Sequence, residues 1–128
     1  MKPEMTLLIC ALVLTFAQML VAVLGALLQV GLPALAGNRD GLPEIKGWGG
    51  RAARAHRNML ENLALFSVLV VIAVVSGKTN AMTLLGAQIF VYARLAYALI
   101  YLAGVPWLRT GAWAVSVVGL AMILMQLI

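Results

Sequence analysis

RAARAHRNMLENLALFSVLVVIAVV, residues Arg51–Val75, is the stretch that decides how this chain is read. Its second half is almost wholly apolar, while its first half carries three arginines, a histidine, two amides and a carboxylate. At 3.6 residues per turn, Arg51, Arg54, Asn58 and Glu61 stack on one helical face with Arg57 at its edge. A polar stripe therefore dips into a helix long enough to cross a membrane. A charged group in the hydrocarbon region costs roughly 2.5–3.5 kcal/mol, so such groups face a bundle interior, a partner or a water-filled cavity. A cytoplasmic flank of arginines anchoring a helix end accounts for Arg51 and Arg54. It does not account for Asn58 and Glu61, because neither an amide nor a carboxylate anchors a helix at an anionic surface. An Arg57–Glu61 pair at i, i+4 fits either reading, at a few tenths of a kcal/mol when exposed (about 0.2–0.5).

The rest of the chain agrees with a membrane setting. Of its 128 residues 64% are hydrophobic and only 10% charged, and the mean hydropathy is +1.05. A soluble domain of this length could not cover so much apolar surface. The net charge of +5 does not signal nucleic acid, since the basic residues sit in two loops and their helix-end flanks. Phospholipid surfaces and anionic small molecules are the expected partners there. The lone cysteine, Cys10, reads as a small buried packing residue, and one Cys with one His gives neither a disulfide nor a metal site.

Four spans are expected, at about residues 5–31, 50–75, 82–103 and 107–127, with a glycine-rich loop at about 34–49 and no room for any further element. The whole chain, 1–128, is read as one all-α membrane domain, a four-helix bundle. The first run is too long for the roughly 7–15-residue core of a signal peptide. Gln18 and Gln29 within it are expected to turn inward, and it holds no acid beyond Glu4 at its start. Arg39, Lys46, Arg51, Arg54, Arg57, Arg94 and Arg109 fall on one side of the membrane, and only Lys2 and Lys78 on the other. The positive-inside rule then makes loops one–two and three–four cytoplasmic, with both termini opposite, in the inner (cell) membrane.

The third span carries a second stripe, Arg94, Tyr97 and Tyr101, spaced i, i+3, i+7. One reading leaves the tyrosines in the interfacial belt with Arg94 snorkelling. The other joins the two stripes, with Arg109, into a cationic pocket holding one carboxylate, one amide and two phenols. Such a set suits a small polyanion that also bears an amine: arginine forks clamp carboxylates, and Glu61 takes the ammonium. The same field stabilises a thiolate, whose pKa falls from about 8.5 by one unit for each ~1.4 kcal/mol of differential stabilisation.

The string R-x-x-R-A-H-R-N-x-x-E, here Arg51, Arg54, Ala55, His56, Arg57, Asn58 and Glu61, resembles the signature of the MAPEG family, the membrane-associated proteins in eicosanoid and glutathione metabolism. Length, four spans and the Arg94, Tyr97, Tyr101 pattern resemble that family too. The resemblance implies a homotrimer that holds glutathione between adjacent subunits near the cytoplasmic face. By the same likeness Arg51, Arg54, Arg57, Asn58, Glu61, Arg94, Tyr97, Tyr101 and Thr110 bind it, and Arg109, Arg94 and Tyr101 act on its thiol. His56 is read as structural or as a neighbour of the site. The first span lacks the arginine that eukaryotic relatives use at its cytoplasmic end, and the connection before Arg109 is one residue shorter than in the prostaglandin synthase branch. Short, lean loops point to a bacterial member.

Three functions are weighed. The first is a glutathione-dependent enzyme that conjugates lipophilic electrophiles or reduces lipid hydroperoxides. The second is a non-catalytic lipid-binding or partner-presenting protein of the same family, in which the Arg, Asn, Glu and Tyr set would be expendable. The third is a small drug-efflux transporter, which would need a carboxylate within the first span.

Overall fold

The computed structural model describes all residues, Met1–Ile128, and is entirely helical. Its helices are α1 (Pro3–Val30), α2 (Leu32–Ala36), α3 (Gly47–Val75), α4 (Ala81–Ala103) and α5 (Pro106–Leu127). The four long ones are each long and apolar enough to span a bilayer, and the chain is an integral, multi-pass membrane protein. They alternate in direction, so the start of α1, the α3–α4 turn and the end of α5 share one end of the bundle. The α4–α5 turn and the start of α3 share the other.

Two expectations about element limits change. The segment after α1 is not all loop: Gly31, at φ 82°, breaks the helix, and Leu32–Ala36 winds one further short helix before the glycine-rich stretch. Pro33 at its start explains the restart, because proline is favoured in a first turn where no amide donor is needed. α1 also begins at Pro3, two residues earlier than the apolar run alone indicates, which brings Glu4 inside the helix.

The core draws on all four long helices, with Leu120 and Ile123 from α5, and at its centre Phe66 and Phe90 stack at 4.1 Å between ring centroids. Close approach elsewhere depends on glycine. A Cβ on Gly86 would lie 2.7 Å from the Gly119 carbonyl oxygen, and one on Gly119 would lie 2.6 Å from that of Gly86. α4 and α5 therefore touch backbone to backbone, the small-residue packing by which helices associate in lipid. Cys10 is exposed on the outside of α1, not buried as expected. An almost uniformly apolar helix does not declare in its sequence which side meets lipid.

The two glutamines of α1 expected to turn inward divide, for Gln18 is half-buried and Gln29 is exposed. Gln29 pairs twice with the Lys46 backbone, donating from Nε2 to its carbonyl at 2.6 Å and accepting its N–H at 2.8 Å. This clamps the end of α1 to the start of α3. Gln18 Oε1 is buried without a partner.

Candidate functional site

α3 and α4 cross so that their polar stripes meet at the end of the bundle that carries the α4–α5 turn. The meeting point is Arg94, only 1% exposed. Its Nη2 donates to Asn58 Oδ1 at 2.9 Å, and its guanidinium lies 4.0 Å from the centre of the Tyr97 ring. Its Nε and Nη1 are buried with no acceptor. Each unpaired buried donor costs about 1–3 kcal/mol, so the fold tolerates here what a core would exclude.

Asn58 is held from both sides. Asn62 Nδ2 donates to the Asn58 carbonyl at 2.9 Å and to its Oδ1 at 3.2 Å. With the Arg94 bond, both lone pairs of Oδ1 are used. The amide orientation is thereby fixed, and the NH2 of Asn58 is left as a donor facing the cleft. Toward the membrane rim, Arg54 Nε donates to the Tyr101 hydroxyl oxygen at 3.1 Å. The Arg109 guanidinium lies over the same ring at 4.4 Å, and Tyr97 meets Tyr101 edge-on at 5.6 Å. Because the Tyr101 oxygen accepts from Arg54, its own proton is free to be donated elsewhere.

Two small lobes open from this cluster. One, of about 200 Å³, is lined by Arg54, Arg57, Asn58, Glu61, Tyr97 and Tyr101. The other, of about 140 Å³, is lined by Asn58, Tyr97, Arg109, Thr110 and Trp113. Asn58 and Tyr97 belong to both, so the lobes are two arms of one bent cleft. Arg57 and Glu61 are exposed on the first lobe and form no ion pair with each other. Thr110 Oγ1 donates back to the Pro106 carbonyl at 3.2 Å.

The sequence-predicted residues thus fall into three groups. Arg54, Arg57, Asn58, Glu61, Tyr97, Tyr101, Arg109 and Thr110 line the cleft, and Arg94 lies directly behind it. Arg51 stands apart. Its Nε donates to the Leu102 carbonyl at 3.0 Å, and its side chain covers Gly104, which closes α4 in the left-handed conformation at φ 85°. A cation on the free carbonyls of a helix C-terminus is favourable, so here Arg51 caps α4. His56 points the other way, into an apolar cleft beside Arg39 between α1 and α2.

Two participants escaped the sequence reading. Asn62 follows Asn58 by four residues, a spacing that puts both on one face, yet its task becomes visible only with Arg94 in place. Trp113 follows Arg109 by four on α5 and was hidden among the other apolar residues of that helix.

Chemically the cleft offers guanidinium forks for carboxylates, a carboxylate for an ammonium, and a phenol with an arginine for a developing anion. The chain is therefore a four-span membrane protein with a cationic, phenol-lined cleft among three of its helices, α3, α4 and α5. A model of the MAPEG family matches residues 5–128, nearly the whole length, and the chain belongs to that family. Its members are glutathione-related membrane proteins, transferases and peroxidases among them. No curated protein and no solved structure matches the chain.

Proposed function

We propose that the protein is a glutathione-dependent membrane enzyme that transfers the glutathione thiolate to lipophilic electrophiles or uses it to reduce lipid hydroperoxides. The observation that carries this reading is the convergence of two separate sequence stripes on one cleft whose donors exceed its acceptors. Arg94 retains two nitrogens, Nε and Nη1, without an acceptor beneath it, and Asn58 presents a fixed amide. These groups, with Arg54 and Arg57, hold the two carboxylates of the tripeptide, and Glu61 holds its ammonium. Tyr101, flanked by Arg54 and Arg109, donates to the sulfur and with Arg109 keeps it as thiolate. Arg94 adds to the positive field, and Thr110 lines the same arm.

The homotrimer expected of the family follows the same line. At about 200 and 140 Å³ each arm is smaller than the roughly 300–1,000 Å³ of ordinary ligand sites. Arg54, Arg57 and Glu61 lie open at the bundle surface. A second copy laid against α3 and α5 would deepen and close the cleft. The lipophilic reactant would then arrive from the bilayer along the subunit seam, so that the protein joins a polar and an apolar reactant. Residues 1–128 serve as a single domain, with the arginine-rich end at the cytoplasmic face of the cell membrane by the positive-inside rule.

The alternative, a non-catalytic lipid-binding or partner-presenting protein, is favoured by one feature. A groove among α1, α3 and α4 is aliphatic throughout except for Gln18. Isothermal titration of the detergent-purified protein with glutathione separates the two. Saturable heat is expected for the enzyme, and its absence would leave the lipid-binding reading.

A further inference from the structure

The end of the bundle far from Arg54 holds a second polar cluster that the glutathione reading does not use. Glu4, in the first turn of α1, is 3% exposed. Its Oε1 lies 3.0 Å from Thr83 Oγ1, whose single proton is shared with the Asn80 carbonyl at 2.8 Å, while its Oε2 is buried with no donor at all. The polar side chains around it bond to other partners and none reaches Oε2. Thr83 Oγ1 also accepts the Asn80 N–H at 2.8 Å in the capping box that starts α4, so it cannot swing across to the second oxygen. Asn80 Oδ1 takes the N–H groups of Met82 and Thr83, and its Nδ2 donates to Gln126 Oε1 at 2.9 Å. Lys78 Nζ donates to the Leu127 carbonyl at 3.2 Å.

A buried carboxylate oxygen without a donor is among the costliest groups a fold can hold. No donor of the protein lies within hydrogen-bond distance of it. The opening for one is a cleft of about 260 Å³ lined by Lys2, Glu4, Thr79, Asn80 and Leu84. Lys2 is exposed there, and its ammonium enters no hydrogen bond within the protein. The lining of the cleft thus includes a carboxyl oxygen without a donor and an ammonium without an acceptor, at the ends of spanning helices, where phospholipid head groups lie.

We infer that this cleft binds the head group of a phospholipid with a primary amine, of the phosphoethanolamine type. Its ammonium donates to Glu4 Oε2 and its phosphate lies against the Lys2 ammonium. A quaternary ammonium head has no N–H to give, and a head without an amine leaves Glu4 unpaired, so the site selects the primary amine. The inference is independent of the glutathione reading.

The test is native mass spectrometry of the full chain released from nanodiscs made of phosphatidylethanolamine, phosphatidylcholine or phosphatidylglycerol with the same acyl chains. Thermal unfolding in the same nanodiscs is recorded in parallel. Retained phosphatidylethanolamine and a higher midpoint in that lipid alone are expected, with both lost in Glu4→Gln. Equal retention of the three lipids, or a preference that survives Glu4→Gln, would overturn the proposal. Should Glu4→Gln fail to fold, Lys2→Ala, at an exposed position, serves instead. It is expected to lower phosphatidylethanolamine retention several-fold, and unchanged retention would count against the site. Free phosphoethanolamine is expected not to displace the lipid; displacement would make this a site for a soluble ligand. Stabilisation by sodium or calcium ions that depends on Glu4, without any lipid preference, would make it a cation site.

Discussion

Arg94 of α4 donates from Nη2 to Oδ1 of Asn58 on α3 at 2.9 Å, and this bond joins two of the three helices that build the cleft. It also divides the labour of a buried guanidinium: one nitrogen orients Asn58, and the other two remain unpaired beneath the lobes. Replacing Arg94 by Met removes a buried charge together with its unpaired donors. The unliganded fold should then keep its thermal midpoint within a few degrees or gain slightly, since exchanging buried ionic groups for apolar ones is often neutral or stabilising. Glutathione affinity should fall by about 1.5–3 kcal/mol, the worth of a hydrogen bond to a charged group, or roughly tenfold to a hundredfold. Arg94→Lys should fail as well, because a single ammonium cannot reproduce the planar fork. Scanning calorimetry and isothermal titration check the two halves. Undiminished affinity in Arg94→Met would remove Arg94 from the binding machinery.

Asn62 acts through Asn58. Asn62→Leu keeps the branched shape but removes one of the two donors on Asn58 Oδ1, leaving Arg94 alone to hold the amide, so the donor facing the cleft is fixed less firmly. The expected effect is a weakening of glutathione binding by about 0.5–1.5 kcal/mol, the net worth of one neutral hydrogen bond. It should appear as a raised KM for glutathione with kcat nearly unchanged. Steady-state kinetics with one electrophile at saturation gives the split.

Arg51 and Arg54 lie three residues apart and should respond oppositely. Arg51→Ala strips the cap from α4, which should cost about 1 kcal/mol of stability and leave glutathione affinity near the native value. Arg54→Ala should lose affinity while unfolding normally. Running both variants through thermal unfolding and titration separates a capping arginine from a binding one.

The α4–α5 contact has no slack. With its Cβ 2.7 Å from the Gly119 carbonyl oxygen, even Gly86→Ala must push the two helices apart, and Gly86→Val more so. Overpacking of this kind costs roughly 1–3 kcal/mol. A lowered thermal midpoint is expected for Gly86→Ala, and failure to purify as a folded species for Gly86→Val. A native midpoint in Gly86→Ala would mean that the helices are not in backbone contact.

What the sequence disclosed and what it concealed divide along one physical line. Features that depend on a single helix were legible: the spans from their apolar length, and the Arg54–Asn58–Glu61 and Arg94–Tyr97–Tyr101 stripes from helical spacing. Features that depend on how two helices cross were not. Arg51 has the right phase for the stripe, but the crossing sets the Leu102 carbonyl beside it first. Asn62 shares the face of Asn58, yet its task needs Arg94 from the other helix. Glu4 reads as a residue at the rim of the chain until α4 brings Thr83 against it. Cys10 lies on a helix whose residues are apolar on nearly every side, so no pattern shows that it faces outward.

The proposed function reduces to one chemical event: the cleft holds the tripeptide with its sulfur as thiolate at neutral pH. The most direct measurement is the ultraviolet thiolate band that appears when glutathione is added to the purified protein, recorded for the native chain and for Arg109→Ala and Tyr101→Phe. A saturable band is predicted for the native protein, strongly reduced in both variants. No band in the native protein at glutathione concentrations that saturate its binding heat would contradict the account.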